Sequence, residues 1–183
     1  MAKITELYVS VDVEASGPIP EKFSLLSIGA CVVGHPDQSF YSEIKPLNDA
    51  FITEAMDVNK LSMEELKNKG EQPAQAMARF ENWVKRVSGD QRPIFVAFNA
   101  TFDWSFIHWY FIKFLGRDPF GISGLDIKAY YMGARKVRWG ETTKKHVRSF
   151  FATTKKHTHN ALDDALEQAE IFEHMLTPET LTK

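Results

Sequence analysis

The sequence predicts an α/β domain in which an antiparallel run of three strands comes first and helices then alternate with strands. Three observations carry that expectation. The first fifty residues hold three strand-like stretches separated by Gly- and Pro-containing turns. Two later segments repeat apolar residues with a helical period, and the apolar run Pro93-Ile94-Phe95-Val96-Ala97-Phe98 lies between helical patterns.

The first strand is Tyr8-Val9-Ser10-Val11-Asp12-Val13-Glu14. Alternation puts Val9, Val11 and Val13 on one face and Ser10, Asp12 and Glu14 on the other. Two carboxylates sharing a face of a valine-rich strand repel and resist desolvation, unless one is protonated or a cation sits between them. Mg²⁺ or Mn²⁺ suits such a pair, because hard divalent ions prefer carboxylate oxygens. An edge strand with a merely solvated acidic face is the alternative. After the turn at Ala15-Ser16-Gly17-Pro18-Ile19-Pro20, residues 23–33 form the second strand and residues 38–44 the third, making a meander.

Residues 50–70 suggest short helices, with Ser62 and Glu65 spaced as a capping box. Pro73 opens a helix to about Val87, whose Ala76, Met77, Phe80, Trp83, Val84 and Val87 keep the 3.6-residue period. Residues 93–98 are the fourth strand, and Asn99-Ala100-Thr101 turns into an aromatic-rich helix running to about Leu115. Asp103 falls in that helix's first turn, where the helix dipole alone would favour an acid. Leu125-Asp126-Ile127 is a short strand end, and the basic stretch after it forms one or two short helices. The last helix runs from near Asn160 to about Leu176. A helical wheel gives it a core stripe of Leu162, Ala165, Leu166, Ala169, Phe172 and Leu176. Asp163 shares a polar face with Glu167, Glu170 and His174, whereas Asp164 flanks the stripe with Gln168, Ile171 and Met175. His159 belongs to the preceding loop, and His157 nearby is its competitor for any catalytic role.

The chain of 183 residues reads as one domain, 1–183, large enough to bury roughly 70% of the surface exposed on unfolding. Its 44% hydrophobic and 25% charged content is that of a soluble globular protein, with no run long enough to span a membrane. No apolar signal segment follows Met1, so a cytoplasmic location is expected. The single cysteine, Cys31, excludes an internal disulfide and reads as a buried small hydrophobe. The net charge of −2 conceals an asymmetry: residues 128–157 hold nine basic side chains against Glu141 alone. Such a segment, including Lys144, Lys145, Arg148, Lys155 and Lys156, can track a phosphate backbone, or it can be a solvated lysine-rich surface.

The assembled motifs are Asp12-Val13-Glu14-Ala15-Ser16-Gly17, Phe98-Asn99-Ala100-Thr101-Phe102-Asp103 and His159-Asn160-Ala161-Leu162-Asp163-Asp164-Ala165. In order and spacing they resemble the three exonuclease motifs of the DEDDh 3′→5′ exonuclease family, which includes proofreading subunits, ribonuclease T and oligoribonuclease. Phe98 stands where that family often has a histidine, and the last helix ends too near residue 183 for a polymerase-binding extension. The resemblance implies a ribonuclease-H-like fold, a mixed five-stranded sheet with its first three strands antiparallel and helices on its flanks. It also implies two divalent ions, Mg²⁺ or Mn²⁺, held by Asp12, Glu14, Asp103 and Asp164, with His159 as general base. Ala15, Ser16, Gly17, Asn99 and Phe102 are the implied substrate-binding residues, with Phe23, Phe102 and Trp104 able to stack bases or to be core. The expected function is metal-dependent removal of nucleoside monophosphates from the 3′ ends of single-stranded DNA or RNA. Cleavage restricted to dinucleotides or very short oligonucleotides, and a catalytically idle nucleic-acid-binding or adaptor domain, are the alternatives. No membrane partner is expected, and oligomeric state stays open, a homodimer included.

Overall fold

The computed structural model of the chain describes residues 5–151, 153 and 158–177; residues 1–4, Lys155, Lys156, His157 and Pro178 lie outside these. Its sheet has the strand order β3-β2-β1-β4-β5. The central strand β1, Glu6–Ala15, pairs antiparallel with β2, Leu25–Val32, and β2 pairs antiparallel with β3, His35–Glu43. On its other side β1 runs parallel to β4, Arg92–Ala97, which runs parallel to the two-residue β5, Leu125–Asp126. The five strands and the antiparallel first three match the ribonuclease-H-like expectation.

Seven α-helices accompany the strands among the described residues: α1 Thr53–Asn59, α2 Met63–Lys69, α3 Pro73–Ser88, α4 Ala100–Leu115, α5 Ile127–Arg135, α6 Lys144–Phe150 and α7 Ala161–Leu176. Ser62 caps α2 by accepting the Glu65 N–H, and Pro73 stands in the first turn of α3 where its missing N–H costs nothing. Val9, Val11, Val13 and Ile28 pack with Phe80 and Trp83 of α3 and with Phe106 and Tyr110 of α4, forming the larger core. The alternation of β1 thereby leaves Ser10, Asp12 and Glu14 for the opposite face, which α7 covers. Ser10 Oγ donates to the Ala165 carbonyl at 2.7 Å, and Cys31, across the ladder from Ser10, packs its buried Sγ against the same carbonyl.

Gly29 is what lets α7 lie so close. It stands directly across from Asp12, and a Cβ there would run into the backbone of Ala161 and Leu162 at the start of that helix. None of the described helices is long and apolar enough to cross a membrane.

The stripe predicted for α7 needs rotation. The buried residues are Ala161, Asp164, Ala165, Glu167, Gln168, Ala169, Ile171, Phe172 and Met175, while Leu162 and Leu166 are half-buried and Leu176 is exposed. Glu167, expected on the wet face, is fully buried because α6 lies over it. Lys144 Nζ and Arg148 Nη1 of α6 each approach its carboxylate at 3.1 Å.

Candidate active site

The site forms at the ends of three elements. β1 delivers Asp12 and Glu14, α4 delivers Asp103 from its first turn, and α7 delivers Asp164 from its own. Oxygens of Asp12, Glu14 and Asp164 all lie within 4.8 Å of one another. Asp103 is tied to the same strand, since its Oδ1 accepts the Val13 N–H at 3.0 Å. The four carboxylates singled out by the sequence are therefore brought together.

Past Ser10 and Val96 the ladder between β1 and β4 ends. Gln168 of α7 spans the gap. Its Nε2 donates to the Val11 carbonyl at 2.8 Å, and its Oε1 accepts the Phe98 N–H at 2.7 Å. Asp126 performs a similar service for α4 and α5, accepting the Ala100 N–H at 2.6 Å and the Ala129 N–H at 2.7 Å. Gln168 was missed as a site builder by sequence reasoning, because its partners are backbone groups distant in sequence.

Crowding and burial raise the proton affinity of the cluster. Burial, then the nearby Asp103, Glu14 and Asp164, push the Asp12 carboxyl well above the usual carboxylate range. Burial and Asp164 lift Glu14 to about 8, and burial lifts Asp103 to about 7 against the opposing Val13 hydrogen bond. Lys144 offsets part of this charge, and its Nζ also lies 5.7 Å from the centre of the Phe98 ring. The ring that stands where that family often has a histidine thus borders the lysine beside the acids.

A cluster this poor in countercharge, built of oxygen donors converging from separate elements, fits hard divalent cations. It also sets a pH dependence. Glu14 titrates near 4.5 when unfolded and at about 8 when folded, so the folded chain retains protons that the unfolded chain has released. Stability of the metal-free protein is then expected to fall as pH rises through that window, with Asp12 and Asp103 acting in the same sense. Thermal melts in chelator between pH 5 and pH 8 check this; Mg²⁺ or Mn²⁺ should restore the loss at pH 8. A melting temperature flat across the range would mean that the protein's own cations already neutralise the cluster.

His159 is exposed and adopts a left-handed backbone with φ 59°, uncommon outside glycine, immediately before the N-cap Asn160. The loop that carries it is fastened to the acids. Thr158 N donates to Asp164 Oδ1 at 3.0 Å, and Thr158 Oγ1 donates to Asp163 Oδ2 at 2.7 Å. Asp164 is buried and Asp163 exposed, as the helical wheel required.

Beside Glu14 lies a largely apolar pocket of about 310 Å³, lined by Ala15, Gly17, Ile52, Val58, Asn59 and Phe102 among others. Its α1 wall is moored to the end of β1 through Asn59 Nδ2 to the Ala15 carbonyl and Ile52 N to the Ser16 carbonyl. Ser16 itself faces inward, its hydroxyl donating to Ala50 O and accepting from Ser24 N. Asn99 is exposed in a left-handed conformation at the N-cap of α4 without a side-chain cap bond. Phe102 is the half-buried aromatic at the pocket, whereas Trp104 packs edge-on against Phe95 and Phe23 is buried under Gly17. Lys144 and Arg148 are engaged with Glu167, and Lys145 is exposed.

Comparison with known proteins adds independent observations. Residues 9–172 match a family model described as RNase T, exonuclease. The chain is 46% identical over 168 residues to the 3′-5′ DNA exonuclease Cap18 of Escherichia coli, covering 91% of this chain and 90% of that protein. It is 29% identical over 182 residues to ribonuclease T of Haemophilus influenzae, covering 92% and 78% respectively. Among solved structures, the nuclease domain of 3′hExo, a DEDDh family member bound to rAMP, superposes with a TM-score of 0.75 at 14% identity, covering 93% of this chain and 91% of that one. E. coli exonuclease I in complex with a dT13 oligonucleotide gives 0.71 at 18% identity, covering 97% and 42%. At such identities these two structures speak for the fold.

Proposed function

This chain belongs to the DEDDh-type 3′→5′ exonuclease family, and from that premise we propose that it removes nucleoside 5′-monophosphates from the 3′ ends of single-stranded DNA by a two-metal mechanism. The observation that carries this is the convergence of Asp12, Glu14 and Asp164 within 4.8 Å beside an apolar pocket of about 310 Å³. DNA is favoured over RNA because the DNA exonuclease is matched at 46% identity and the ribonuclease at 29%.

Asp12, Glu14, Asp103 and Asp164 would hold two Mg²⁺ or Mn²⁺ ions, which when bound neutralise phosphate charge and acidify the attacking water. The chain's own residues do the rest. Phe102, Ile52 and Val58 grip the terminal base through apolar contact in the pocket, which Ala15 and Gly17 also line, and Asn99 is the N-cap of the helix that carries Phe102. His159 takes the water's proton at neutral pH, its loop held over the site by the bond from Thr158 to Asp164. Lys144, beside the acids, attracts the phosphate. A cytoplasmic setting completes the proposal, in keeping with a single, buried cysteine, Cys31.

One incubation with Mg²⁺ or Mn²⁺ tests it, using 3′- and 5′-labelled DNA and RNA strands, single and double, with dinucleotides alongside. The expected result is a shortening ladder from the 5′-labelled single strand, immediate mononucleotide release from the 3′-labelled one, faster turnover of DNA, and no reaction in chelator. Full turnover in excess chelator would exclude the metal mechanism. Cleavage of dinucleotides alone would restrict the substrate, and binding without cleavage would make the domain an idle adaptor.

A further inference from the structure

Outside the catalytic cluster, the chain exposes two large aromatic rings on one basic surface. Trp139 is 54% exposed and Phe150 is 54% exposed. Each is covered on one side by a cation from α5: Lys128 Nζ lies 4.2 Å from the Trp139 ring centre, and Arg135 Cζ lies 4.7 Å from that of Phe150. Lys128, Met132 and Arg135 follow one another at i, i+4 and i+7, which places them along one stripe of the helix.

The rings are exposed but their backbones are fixed. The turn bearing Trp139 is closed by Thr142 Oγ1 donating to the Trp139 carbonyl at 2.7 Å and by Arg138 N donating to Glu141 Oε2 at 3.0 Å. Phe150 ends α6, which the buried Glu167 fastens to α7 and which the buried Phe151 anchors from below. From residue 128 to residue 150 there are seven Lys and Arg side chains against the single acid Glu141. This surface also begins at the site, since Lys128 is two residues beyond Asp126, whose carboxylate holds the first residue of α4.

Rigid, half-exposed aromatic faces amid positive charge are what a single strand requires: the cations meet phosphates and the rings meet bases. We propose that Trp139 and Phe150 form a base-stacking platform for the part of a single-stranded nucleic acid that lies 5′ to the nucleotide in the catalytic site. Seven residues of helix separate the two cations by about 10 Å, which is roughly three stacked nucleotides. The platform rests on the exonuclease reading for its direction, but it binds strand in its own right.

The test is therefore made by binding first. A labelled single strand is titrated by fluorescence anisotropy in chelator, alongside the same strand made of abasic nucleotides. Trp139→Ala and Phe150→Ala should each weaken binding of the base-bearing strand on the order of tenfold, while Trp139→Phe retains it. Abasic strand should bind all the proteins equally weakly, and the slope of log Kd against log salt should not change, because no charge is removed. With Mg²⁺ or Mn²⁺ present, the alanine variants should raise KM for long strands and leave kcat and dinucleotide turnover unaltered. Alanine variants that bind base-bearing strand as tightly as the parent would overturn the platform. Loss of binding in a protein that cleaves nothing would leave the platform standing and overturn the exonuclease reading instead.

Discussion

Asp12→Asn is expected to abolish nuclease activity while preserving or raising thermal stability. The two effects have one cause. Asp12 sits where β1 meets α7, close enough to Glu14 and Asp164 for their oxygens to lie within 4.8 Å, and with Asp103 acting on it electrostatically as well. An amide of nearly the same shape cannot ionise, so it escapes both the burial cost and the repulsion that lift the Asp12 carboxyl. It also removes a carboxylate ligand, and cation binding by the remaining acids weakens accordingly. Activity with Mg²⁺ or Mn²⁺ and melting temperature in chelator, measured on the same preparation, check both halves. A variant that melts well below the parent would show that Asp12 makes a structural contact worth more than its repulsion.

Asp164→Asn and His159→Ala are expected to cost the next largest factors, and their sequence neighbours to cost little. Asp164 is buried, joins the carboxylate group and accepts the Thr158 N–H, so its replacement should lower turnover by orders of magnitude. Asp163 is exposed and only receives the Thr158 hydroxyl, so Asp163→Asn should be much milder. His159→Ala deletes the proposed general base, worth roughly 10²–10⁴ in rate. Steady-state turnover of the three variants at pH 6 to 8 decides the matter. A sensitive Asp163 beside an insensitive Asp164 would reverse the assignment.

Much of this was legible in the sequence, for a physical reason. Strand alternation put Asp12 and Glu14 on one face without any knowledge of partners, and Ser62 and Pro73 marked the starts of α2 and α3 locally. What depended on distant packing was hidden. The wheel of α7 could not show that α6 lies over Glu167, because the neutralising Lys144 and Arg148 stand more than a dozen residues upstream. For the same reason a stretch that reads as uniformly basic divides into cations paired with the buried Glu167, such as Lys144 and Arg148, and cations laid over exposed rings, such as Lys128 and Arg135.

Gln168 has a consequence for folding as well as for the cleft. Its amide is complementary to one donor and one acceptor on two different strands, and no neighbouring residue of α7 offers both. A helix docked one residue out of register would place Glu167 or Ala169 there, leaving the Val11 carbonyl, the Phe98 amide or both without a partner at about 1–3 kcal/mol each. The one-residue shift also turns the helix by about 100°, so apolar packing and the Gln168 bonds reject it together, and those same bonds bring Asp164 to Asp12 in the right register.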